Sequence, residues 1–239
     1  MVWAIARGSD TVSGPLGRGT LEMMLAQPLS RLKYILCKSG LTLVGSVVIA
    51  SAAWLGMVGG IENTTVKQEN QPIKLEIPLI KIEVEIPFTR APGEPERIPL
   101  SDHVDANDMI PPALNLIGLG IFFGGFTTLM SAWDQYRWRT IAIAAGFLVV
   151  QMLLRVMSLS MEDVDWLAYT TIFSLYEPEV LVAYAATNPD GVWSFLFERS
   201  EGEWHLGGLG YFGLLSGAGL AGFVGAMVIF CRRDLPAPV

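Results

Sequence analysis

Charge is the scarcest commodity in this chain. Charged residues make up 16% of the 239 positions, against about 25% in a soluble domain. With 51% hydrophobic residues, a soluble fold would struggle to cover its own surface. That argues against a soluble enzyme, a nucleic-acid binder and a disordered tail, and for an integral membrane protein. Cysteine and histidine are nearly absent as well, two of each. Their wide separation leaves no metal-ligand pattern, and a disulfide between Cys37 and Cys231 is not expected in a reducing compartment. There is no G-x-x-x-x-G-K-[ST] phosphate loop: Gly14 to Gly19 is glycine-rich but lacks the Lys-Ser/Thr pair and a preceding strand. No Ser/His/Asp or paired-carboxylate arrangement lies in the apolar stretches, and no signal-peptide core lies in the first 40 residues.

What is present is segregated. A bilayer-spanning helix needs about 20 apolar residues, and four stretches meet that length. The predicted spans cover about 41–60, 110–133, 140–159 and 206–231. Arg155 and Gln151 interrupt the third, and His205 marks the start of the fourth. The fold class expected is an all-α integral membrane protein with four transmembrane helices and a small external β-rich insertion. Basic residues mark the cytoplasmic side of a span. Arg31, Lys33 and Lys38 precede the first, Arg137 and Arg139 fill the link between the second and third, and Arg232 and Arg233 follow the fourth. These segments alternate correctly for four spans, so both termini fall in the cytoplasm. The acidic segments 61–109 and 160–205 fall outside.

Inside 61–109, Ile73, Leu75 and Ile77 alternate with Lys74 and Glu76. Ile80, Ile82, Val84, Ile86 and Phe88 then alternate with Lys81, Glu83 and Glu85. Period two with β-branched residues reads as strand, with a bulge or turn at Pro78, where the alternation slips. Ala91 to Ile98 reads as irregular loop. The β element is either a platform for a substrate or partner, or an insertion with no direct role. Asn63-Thr64-Thr65 matches a glycosylation sequon that is common by chance. In 160–205, the run Trp166 to Tyr176 is apolar and aromatic but too short to span. It predicts an interfacial or re-entrant helix, or one packed over the ends of the spans.

Small residues favour close helix packing where lipid is as apolar as the helices. Gly213 and Gly217 form one G-x-x-x-G pair in the last span, and Gly120 and Gly124 another in the second. Arg155 is the one basic residue inside a span. Charge there is costly and often functional. It reads either as an ion pair or snorkel toward Glu162, Asp163 or Asp165, or as part of a translocation pathway. Gln151, one turn earlier, extends the same polar stripe.

Ahead of the first span, Gly19-Thr20-Leu21-Glu22-Met23-Met24-Leu25-Ala26-Gln27-Pro28-Leu29-Ser30-Arg31 predicts a short amphipathic helix, an interruption at Pro28, and a second helix. Thr20 is the expected N-cap of the first helix, with Glu22 in its first turn. Ser30 can cap the second, which runs through Leu32, Ile35 and Leu36 into the span. This segment, with Lys38 beyond it, resembles the cytoplasmic segment of type-two ABC exporter permeases, whose usual form runs Gly-Thr-Leu, a Leu-rich turn, Pro and Ser-Arg. The resemblance covers nearly all of the chain: an outer loop after the span, two spans with a short link, an outer re-entrant region, and a last span ending in basic residues.

The resemblance implies that 1–40 holds a coupling helix docking on an ATP-binding cassette subunit. Leu21, Met24 and Leu25 would form its apolar face, and Glu22 and Arg31 would fix its register, with Gly19, Thr20, Pro28 and Ser30 shaping it. ATP would be bound by that partner, so this chain would carry no catalytic residue, metal or cofactor of its own. A second permease chain and the bilayer would complete the assembly, with no nucleic acid. The family usually has six spans. The two before the coupling segment are missing here, and Val2 to Ala6 looks like the tail of the second, as in a fragment, a late start or a short variant. The competing expectation is a non-transporting anchor or accessory protein whose outer domain binds a partner.

Overall fold

In the computed structural model, residues 1–25, 30–67, 72–77, 82–90, 97–199 and 203–233 are described. They are mostly helical, with three two-stranded antiparallel sheets. Three short helices come first: α1 (Val2–Ser9), α2 (Ser13–Gly17) and α3 (Thr20–Leu25). Four long helices follow: α4 (Arg31–Asn63), α5 (Ile110–Trp133), α6 (Arg137–Ser160) and, near the end, α9 (Gly208–Arg232). All four are long and apolar enough to cross a membrane. Their places agree with the expected spans, and their ends refine them. The 33 residues of α4 extend about 50 Å at 1.5 Å per residue, so the helix begins ten residues before its charge-free stretch. The Ser30 hydroxyl starts it, accepting from the Lys33 amide at 3.3 Å, as expected of an N-cap.

Two units make up the chain: 1–54 with 108–239, and 55–107. The smaller contains the two strand pairs that alternation predicts in part. β2 (Pro72–Ile77) pairs with β3 (Ile82–Arg90), placing Leu75 opposite Val84 and Ile77 opposite Ile82. The expected irregularity at Pro78 lies outside the described residues, as does most of the loop expected at 91–98. Arg97 and Ile98 are not loop. They belong to β4 (Arg97–Pro99), which pairs with β1 (Thr65–Lys67).

In the larger unit, α5 and α9 pack face to face through backbone. A Cβ on Gly125 would meet the Gly219 carbonyl oxygen at 1.9 Å, and one on Gly219 would meet the Ile121 oxygen at 2.5 Å. These are not the glycine pairs that spacing singles out. Gly120 and Gly124 face α4, opposite Ser46 and Thr42, and nothing lies within 4 Å of a Cβ on Gly217. The close seam therefore skips both G-x-x-x-G pairs, because helix rotation, not motif, decides which glycine faces a neighbour. Around the seam, Phe126 and Phe147 bring α5 and α6 together with ring centroids 4.7 Å apart. Trp3 of α1 lies over Gly45 of α4.

The run Trp166 to Tyr176 is not one α-helix. It forms two 3₁₀ stretches, Glu162–Thr170 and Ile172–Leu175. Thr171 between them is extended, and its hydroxyl caps the second by accepting from the Phe173 amide. Adjacent β-branched Thr170, Thr171 and Ile172 disfavour a continuous α-helix here. α-Helix resumes at α7 (Pro178–Thr187) and α8 (Pro189–Val192), each with proline at a first-turn position where its missing N–H is not needed. His205, expected to mark the start of the last span, lies instead in β6 (Glu203–Leu206) with Leu206, paired with β5 (Leu196–Arg199). Extended Gly207 separates that hairpin from α9.

Candidate functional site

The three basic segments meet at one end of the larger unit. Arg31 donates to the Arg233 carbonyl at 2.8 Å, and Arg233 donates to the carbonyls of Ala132 at 2.8 Å and Asp134 at 3.2 Å. A guanidinium at the C-terminal carbonyls of α5 also suits the negative end of the helix dipole. Asp134 accepts from the amides of Gln135 and Tyr136 and pairs with Arg139 at 3.4 Å. Asp10 pairs with Arg18 at 3.1 Å and Arg137 at 3.5 Å. Arg31, expected to set the register of a partner, is thus engaged within its own chain.

A buried hydroxyl node ties the first helices into this end. Ser131 of α5 accepts from the amides of Val12 at 3.1 Å and Ser13 at 2.9 Å, and donates to the Ser9 carbonyl at 3.2 Å. Ser13 donates to the same carbonyl at 2.8 Å and reaches Thr140 of α6 at 3.4 Å. Ser131 therefore satisfies orphan amides at the start of α2 from across the bundle. Hydroxyls scattered through apolar runs are the only sequence trace of this node, and spacing along the chain does not connect them.

The segment expected to dock on a partner forms a helix, α3, with a different exposed face. Gly19 enters it with φ +69°, a left-handed conformation suited to glycine. Thr20 is not its cap, since the Thr20 hydroxyl donates backward to the Pro15 carbonyl at 3.3 Å. Leu21, expected on the docking face, is fully buried in a cluster with Val12, Ile35, Ala132, Ala226 and Phe230. The apolar side chains left exposed are Met23, at 73%, and Met24, at 37%. Pro28 lies outside the described residues, and the side chains of Glu22 and Leu25 are likewise not described.

At the other end, three side chains from two of the long helices hold the stretch 171–177. Gln151 of α6 accepts from the Ile172 amide at 2.9 Å, and its carbonyl accepts from the Thr171 hydroxyl at 3.2 Å. Asn115 of α5 donates to the Leu175 carbonyl at 3.0 Å. Arg155 pairs with Glu177, not with Asp163 or Asp165 as expected; the side chain of Glu162, the third expected partner, lies outside the described residues. The hold on 171–177 brings the carboxylate just ahead of Pro178 to Arg155. Burial, with Glu179 nearby, pushes the Tyr176 phenol above its ordinary pKa, so it stays neutral at physiological pH. A cavity of about 720 Å³ opens beside the pair, lined also by Asp165, Tyr169, Thr171 and Tyr211. Among the described residues, no three His, Cys, Asp or Glu side chains gather as a metal site. No protein family, curated protein or solved structure matches this chain.

Proposed function

We propose that this chain is the permease subunit of an ATP-driven exporter in the inner membrane. The observation that carries the proposal is the build of α3: a short helix hooked by buried Leu21 into the junction of α4, α5 and α9, with Met23 and Met24 turned outward. A force applied at the methionines reaches three spans through packed side chains, as a rigid-body switch between inward-open and outward-open states requires. Methionine is also suited to an adaptable apolar contact. The basic end, 10–31 with 134–139 and 231–233, faces the cytoplasm, where an ATP-binding cassette subunit seats on α3 and supplies hydrolysis. A second permease chain completes the path.

The test is co-purification of the membrane-extracted chain with an ATP-binding cassette subunit from the same cells. Met23→Asp with Met24→Asp should abolish the complex while leaving the chain folded. An intact complex would remove the docking assignment. A chain that recruits no ATPase, with a 55–107 unit that captures an outer partner, would establish the anchor reading instead.

A further inference from the structure

The cavity beside Arg155 and Glu177 has the size of a small-molecule site, since about 720 Å³ lies within the roughly 300–1,000 Å³ such sites occupy. Its walls combine the ion pair with apolar Leu159, Ile172, Leu175 and Leu206. Arg155 and Glu177 neutralise one another. That leaves Asp165, which lines the same cavity and has no cationic partner among the described residues. The segment that supplies most of the cavity wall has the same sign in sequence, with nine Asp and Glu against Arg199 alone in 160–207. Such a field concentrates cations and repels anions. Tyr169, 93% exposed on the cavity wall, offers a ring face to a positive charge.

We propose that this cavity binds an amphiphilic organic cation, an ammonium-type charge on an apolar body. The body packs on the four apolar side chains. The charge lies between Asp165 and the Tyr169 ring, within reach of Glu177, whose carboxylate has acceptor sites beyond the one Arg155 occupies. In the exporter reading this names the substrate class, and the site itself does not depend on an ATPase.

The experiment uses the full chain alone in phosphatidylcholine nanodiscs, with two ions of matched size and opposite charge, tetraphenylphosphonium and tetraphenylborate, and empty discs as blank. Saturable binding of the cation above the blank, without matching binding of the anion, is the expected result. Asp165→Asn should weaken it about fivefold and Tyr169→Ala about threefold. Glu177→Gln, which frees the Arg155 charge to offset Asp165 in the same cavity, should weaken the preference for the cation. Uptake no greater than the blank, equal binding of both ions, or affinity unmoved by both rim substitutions would overturn the proposal. Asp165 and Tyr169 are exposed, so those two variants decide the matter even where Glu177→Gln does not fold. Because no ATP-binding subunit is present, failure here leaves the exporter reading standing, and failed co-purification leaves this site standing.

Discussion

Gly125 and Gly219 touch backbone to backbone: a Cβ on the first would stand 1.9 Å from the carbonyl oxygen of the second. Backbone cannot move aside as a flexible side chain can. Gly125→Ala should therefore force α5 and α9 apart and cost about 1–3 kcal/mol or more of stability, as overpacking does. Gly217→Ala, in open space, should leave thermal unfolding in detergent within about 0.5 kcal/mol of the parent. Equal behaviour of the two variants would dissociate the seam from stability.

Ser131 satisfies two amides that have no other acceptor in the turn leading into α2. Ser131→Ala should cost about 1–3 kcal/mol, the penalty for stranding buried donors. The exposed Ser160 hydroxyl, which only donates back to the Val156 carbonyl, is the control. Its alanine variant should unfold with the parent.

Leu21 and Met23 lie two residues apart with opposite environments. Leu21→Ala should destabilise by about 2–5 kcal/mol and Met23→Ala by less than about 0.5 kcal/mol, measured by thermal unfolding of the chain without partner. Comparable losses would mean that Leu21 does not anchor α3.

The Arg155–Glu177 pair is four-fifths covered on both sides, short of full burial. Replacing either residue alone by leucine should cost about 1–3 kcal/mol, below the 3–5 of a deeply buried pair because solvent screens it. The double replacement should cost less than the two singles added, giving a coupling energy in a double-mutant cycle. Asp163→Asn with Arg155→Leu should show no coupling.

For topology, cysteines replace exposed residues at the two ends in a background with Cys37 and Cys231 changed to serine. A membrane-impermeant maleimide should label Asp165→Cys in intact cells, and Tyr136→Cys only after permeabilisation. The reverse pattern would invert the proposed orientation.

Much of this architecture is legible without coordinates because it depends on length and on absence of charge. The four long helices stand out since no soluble element needs that many apolar residues in a row. Ser30 is readable as a cap because its role is local. The failures share a physical cause, which is that they depend on what lies across the bundle. Leu21 looks like an amphipathic face from its own helix, and only the positions of Phe230 and Ala226 make it interior. Glu177 is 22 positions from Arg155, so nearer carboxylates compete for the assignment until the contacts of 171–175 with Gln151 and Asn115 bring Glu177 to it. The glycine motifs mark where close approach is permitted, while the seam uses Gly125 and Gly219, which stand in neither motif. The short β5–β6 hairpin is hidden because its apolar residues merge into the run of α9.

The Ser131 node has a consequence for biogenesis. The Ser13 amide acquires its acceptor only 118 residues later in the chain, after two long apolar helices have been made. Until then the α1–α2 corner has exposed amides at its turn and cannot take its final form. A corner that precedes these helices in the chain is thus locked only after they have been made. A defect at Ser131 should appear first as protease sensitivity confined to the α1–α2 segment of an otherwise folded chain.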